Sequence, residues 1–83
     1  MIKVLFFARI RDQIGLSELT TELPEDVHDL SDFTRALIQA NPSFEPALTE
    51  RNVLTAVNQE MASPSTTIED GDEIAYFPPV TGG

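Results

Sequence analysis

Only one stretch of this chain has the spacing of a long amphipathic helix, and strand-like patterning lies on both sides of it. In PEDVHDLSDFTRALIQANP, Val27, Leu30, Phe33, Leu37 and Ile38 recur at intervals of three and four, which lines them along one helical face. Asp26 is the expected N-cap. Asp29 and Asp32 then fall in the first turns, where the helix dipole favours negative charge. Asn41-Pro42 closes the helix. The 83 residues leave room for a single core. A lone apolar helical stripe is most economically buried against a sheet.

The flanking segments supply that sheet. Ile2, Val4, Phe6, Ala8 and Ile10 alternate with Lys3, Leu5, Phe7, Arg9 and Arg11, so Ile2 to Ile10 is expected as a strand. DQIG follows as a turn, with Gly15 free to take positive φ. LSELTTEL is expected as a weaker second strand, completing a hairpin. Beyond the helix, SFEPALTE offers one more helical turn that tucks Phe44 and Leu48 inward. NVLTAVNQEMA reads as a strand, a turn at Asn58-Gln59 and a short strand through Met61. Asp70-Gly71 marks a turn, and EIAYFP is the last strand, ended by Pro78. The expected fold is α+β: a mixed sheet of about five strands with one main helix on one face. This element order matches the ubiquitin-like β-grasp. A ferredoxin-like sheet competes, but only one long helix is visible. Residues 1–77 form the domain and 78–83 an extended tail.

If the helix covers Ile2, Val4 and Phe6, then Leu5 and Phe7 point away from it. Alternation puts Ala75 and Phe77 on that second face, and Met61 joins them from the short strand. With Lys3, Arg9 and Arg11 nearby, this is an apolar patch with a basic rim, the composition of a partner site. The bland alternative is that the Ser43–Glu50 segment covers part of it.

Several kinds of chemistry are missing. The chain has no Cys, hence no disulfide, thiolate metal site or thiol nucleophile. It has no Gly-rich phosphate loop and no Ser-His-Asp pattern. His28 reads as a solvated residue. Glu69, Asp70, Asp72 and Glu73 lack EF-hand spacing and read as an acidic turn. Fourteen acids against five bases give a charge of −9, which argues against nucleic acid. The apolar run at the start is too short to span a bilayer, so no membrane is expected and the cytoplasm is the expected location.

The ending YFPPVTGG raises a different chemistry. Pro78 and Pro79 stiffen the exit. Pro78, Pro79, Val80, Thr81, Gly82 and Gly83 reach about 20 Å when extended, at about 3.3–3.6 Å per residue. Gly82 and Gly83 lack Cβ atoms, and such an end can enter a channel too narrow for any other pair. Such a tip is either frayed or functional. A functional terminal carboxylate needs activation: as an acyl-adenylate made from ATP, it donates its acyl group to an amine or takes up sulfur as a thiocarboxylate.

MIKVLFFARIRDQIG, AVNQE and DGDEIAYFPPVTGG together resemble the small, sulfur-carrier subunit of molybdopterin synthase. The resemblance spans the chain in length and element order and is sharpest at its two ends. It implies that Gly83 is adenylated by an ATP-dependent enzyme of the ubiquitin-activating type. A sulfur donor protein then supplies the thiocarboxylate. The adenylate and thiocarboxylate are transient, and no permanently bound cofactor is implied. The resemblance further implies docking on the molybdopterin synthase large subunit within a heterotetramer, and sulfur delivery to cyclic pyranopterin monophosphate. Gly82 and Gly83 are the implied working tip, Phe77 an implied contact, and Phe7 and Met61 looser matches to that surface. The chain itself would contribute no catalytic side chain. Three alternatives stay open: a sulfur carrier for thiamine or tRNA thiolation, a protein modifier joined through Gly83, or an interaction domain with an idle tail.

Overall fold

A computed structural model of the chain describes residues 1–79. Its strands are β1 (Ile2–Phe6), β2 (Glu18–Thr21), β3 (Leu54–Val57), β4 (Glu60–Met61) and β5 (Glu73–Phe77). They form one sheet in the order β2-β1-β5-β3-β4. The central β1–β5 pair is parallel, and the other pairs are antiparallel. A parallel central pair requires a crossover, and α2 (Leu30–Ala40) lies within the connection between β1 and β5. This is the expected β-grasp arrangement.

Period two decides which face of the sheet is covered. Ile2, Val4 and Phe6 of β1 and Ile74 and Tyr76 of β5 are buried with Leu30, Phe33 and Leu37 of α2. Phe6 meets Phe44 edge to face, with ring centroids 5.7 Å apart, and stacks on Tyr76 at 6.0 Å. Burying each such ring contributes roughly 1.5–3 kcal/mol. Phe44 comes from a 3₁₀ turn (Pro42–Phe44) and Leu48 from the short helix α3 (Glu45–Leu48). Both are buried, as the sequence led us to expect.

The first strand is shorter than its alternation implied. It ends at Phe6, and α1 (Ala8–Ile14) follows with Phe7 alone between them. Ala8 makes the change of direction at φ 51°. Ile10 is buried from a helix rather than a strand. The even-numbered pattern misled because Phe6, Ile10 and Ile14 are also spaced by four, which satisfies a helical face equally well. Gly15 therefore caps α1 instead of turning a hairpin. Its φ is 87°, and its N–H donates to the Arg11 carbonyl at 2.8 Å. Nothing lies within 4 Å of where a Cβ would sit. Gly15→Ala should thus cost only the backbone penalty, about 1–2 kcal/mol, seen as a lower urea midpoint with an unchanged slope.

The cap of α2 also differs from expectation. Asp29, not Asp26, is the N-cap, its Oδ1 accepting from the Asp32 N–H at 2.8 Å. Residues before it are held in a non-helical path by the 64–68 segment. Ile68 N–H donates to the His28 carbonyl, and Leu30 N–H donates to the Thr66 carbonyl. Asn41 ends the helix as foreseen.

At the other end of β5, the acidic turn is structural. Asp72 accepts from Asn58 Nδ2 at 3.0 Å and from the Glu69 N–H at 2.8 Å. Asn58 and Gln59 take φ of 52° and 70°, the paired left-handed conformation of a tight hairpin turn. Among the described residues, no helix is long and apolar enough to cross a membrane.

Tyr76 Oη lies 2.6 Å from Thr34 Oγ1, tying β5 to α2. Burial pushes the phenol up to about 12, against a smaller downward pull from Thr34. The unfolded chain ionises near the ordinary value of about 10. Stability is therefore fully present below about pH 10 and is lost as pH rises toward about 12, by up to about 2–3 kcal/mol. Tyrosinate absorbance reports Tyr76 alone, since the chain has one Tyr and no Trp. Alkaline unfolding and that absorbance should rise together, and Tyr76→Phe should remove this component of the pH dependence.

Candidate functional site

The uncovered face of the sheet is assembled by register. Glu18, Leu5, Ala75, Ala56 and Met61 lie side by side, one from each strand, from β2 across to β4. One step toward the end of β5, Phe77 pairs with Leu54. Phe7 borders the same end, its N–H donating to the Tyr76 carbonyl at 3.1 Å. One step the other way, Lys3 lies between Thr20 and Glu73. The apolar part of this face thus occupies its centre and the end where β5 leaves the sheet. Charge is confined to the β2 edge and the opposite end.

Leu5, Phe7, Met61, Ala75 and Phe77 are therefore brought onto one surface. Phe7 is 46% exposed and Met61 64%, while Leu5, Ala75 and Phe77 are half-buried. The Ser43–Glu50 segment places Phe44, Ala47 and Leu48 in the core cluster on the covered side. The expected basic rim is different in kind. Arg9 and Arg11 sit on α1, not on the strand, and each has an acidic neighbour: Arg9 with Glu50 at 3.4 Å, Arg11 with Asp12 at 3.7 Å. Exposed pairs of this kind are worth about 0–1 kcal/mol, so they offer little to a partner.

Leu54 and Ala56 belong to the surface and were missing from the sequence expectation. NVLTAV alternates as clearly as the first strand. What the alternation lacked was the pairing partner that tells which parity faces out, and Phe77 supplies it.

Pro78 and Pro79 are half-buried where β5 ends. The remaining tail positions, Val80, Thr81, Gly82 and Gly83, lie outside the described residues. Pro78 and Pro79 therefore leave from the end of a central strand, next to Phe77 and its partner Leu54.

A model of the ThiS family matches residues 4–83. The chain belongs to the ThiS family. It is 40% identical to the molybdopterin synthase sulfur carrier subunit of Escherichia coli (strain K12) over 83 residues, covering all of both chains. Among solved structures, it is similar to SAMP1 from Haloferax volcanii, with a TM-score of 0.82 and 26% identity over 99% of this chain and 98% of that one. It is also similar to a chain of the complex of subunits 1 and 2 of molybdopterin-converting factor from Helicobacter pylori. There the TM-score is 0.66 and the identity 25%, over 99% of this chain and 97% of that one. The β-grasp fold is thus shared across the ThiS family chain and these neighbours.

Proposed function

We propose that the chain is a sulfur carrier of molybdenum cofactor biosynthesis, the small subunit of a molybdopterin synthase. The observation that carries this reading is the 40% identity to the Escherichia coli carrier along the whole of both chains. The apolar face at the root of the tail supports it, because a carrier must hold a partner where its tip enters.

Gly83 is the sulfur site, with Gly82 beside it. A partner of the ubiquitin-activating type joins the Gly83 carboxylate to AMP from ATP, releasing pyrophosphate. The outer sulfur of a donor protein's persulfide attacks the acyl carbon and expels AMP, and a thiol reductant then cleaves the resulting acyl disulfide to leave the Gly83 thiocarboxylate. The carrier then docks through Leu5, Phe7, Met61, Ala75 and Phe77 on the large subunit. Val80, Thr81 and the two glycines thread into that subunit's pocket. Sulfur passes to cyclic pyranopterin monophosphate, and two deliveries complete the dithiolene. The chain supplies position and the acyl terminus, and the partners supply the catalytic groups. The Helicobacter pylori neighbour, solved with its subunit 2, supports the large-subunit partnership.

The test is a reconstitution. Thiocarboxylated chain mixed with a large subunit and cyclic pyranopterin monophosphate should yield molybdopterin in proportion to the carrier consumed. No product from a fully thiocarboxylated sample would sink the reading.

A second reading, conjugation of Gly83 to lysines of other proteins, is favoured by the likeness to small archaeal modifier protein 1. It predicts Gly83 isopeptides on cellular proteins. The chain's only lysine, Lys3, makes self-linked chains the narrowest version of that reading.

A further inference from the structure

The two central positions of the open face are both alanine. Ala56 and Ala75 are direct partners across β3 and β5, with Leu5 on one side and Met61 on the other in the same row. Phe77 and Leu54 bound the pair on the tail side. Every neighbour in this frame is larger than the two residues it surrounds. Ala56 is only 8% exposed, yet it stands outside the core cluster. Its register between Ala75 and Met61, with Leu54 next on the same face, sets a short side chain among longer ones. A sheet position that faces out, needs no core packing and is framed by long apolar chains would tolerate Val, Ile or Thr on strand preference alone.

We propose that Ala56 and Ala75 form a shallow apolar slot that receives one bulky apolar side chain from the protein whose pocket takes the tail, so that side-chain volume at these two positions sets which partner docks. This rests on the carrier reading above and deepens it. The occupant follows from the tail. Only the six residues from Pro78 separate the sheet from Gly83, a reach of about 20 Å. A partner that buries Gly83 must therefore lie against the surface around the exit. The slot lies one row from that exit, and the charged positions of the face, Lys3, Glu73 and Glu18, lie beyond it. An apolar side chain fits this location, and a charged one would be desolvated there without a partner.

The experiment measures affinity of the full chain for the molybdopterin synthase large subunit encoded by the same genome, with each variant's thermal midpoint alongside. Ala56→Leu fills the slot and should weaken binding by about tenfold or more, the effect of losing an interface anchor. Ala56→Val, which suits a strand, should weaken it less while the midpoint holds. Thr20→Leu adds comparable bulk on the same face outside the slot and should leave affinity within about twofold. Wild-type affinity in a folded Ala56→Leu chain overturns the slot. So does an equal loss from Thr20→Leu, which would make the whole face generic. Should Ala56→Leu not fold, wild-type affinity in Ala56→Val and in Ala75→Val overturns it. If the wild-type chain neither binds the subunit nor delivers sulfur to it, the carrier reading itself fails, and the slot with it. Sulfur delivery by the wild type alongside an unaffected Ala56→Leu removes the slot alone.

Discussion

Deleting Gly83 should abolish molybdopterin formation while leaving the fold and the docking unchanged. The truncated chain still ends in a carboxylate, now on Gly82, but its tip is withdrawn by about 3.5 Å. Displacing a reacting group by even 1 Å can cost about 10² in rate, so loss of at least that size is expected. The core cluster runs from Ile2 to Tyr76, and none of it depends on Gly83. The thermal midpoint should therefore match the wild type, and so should affinity for the large subunit to within a small factor. A rate near wild type would show that the tip is not the sulfur site.

Replacing Phe77 by Asp should weaken binding to the large subunit by at least about 1–2 kcal/mol, roughly tenfold or more. Phe77 faces the uncovered side, pairs with Leu54 and is the last strand residue before the tail. If the large subunit covers this end of the face, an Asp there is left as an unpaired, desolvated carboxylate. The core side of β5, Ile74 and Tyr76, is untouched. The fold should thus survive, and the loss should appear mainly as faster dissociation. Unchanged affinity in a folded Phe77→Asp chain would remove Phe77 from the interface.

Much of this surface could be read before any coordinates, because period two in the first and last strands separates Val4 from Leu5 and Tyr76 from Phe77. Composition singled out the tail, two glycines behind two prolines, as a candidate working end. Other features depend on contacts distant in sequence. Phe6, Ile10 and Ile14 suit either period, and the choice of helix over strand is made where α1 packs against β5, the 3₁₀ turn and α3. Asp26, Asp29 and Asp32 share one spacing. Which of them caps α2 is decided by hydrogen bonds from residues 64–68, which sequence spacing does not reveal. The outward parity of Leu54 and Ala56 likewise depends on register with β5. Local pattern found most of the elements and the candidate reactive end, and long-range pairing completed the open apolar face.

The most direct test of the carrier account is the intact mass of the chain recovered from cells that are making molybdenum cofactor. The account predicts a population heavier than the sequence mass by the difference between one sulfur and one oxygen, with fragmentation placing the change on Gly83. If no unconjugated chain carries the heavier mass, while Gly83 is found in isopeptide linkage to other proteins, the account is contradicted.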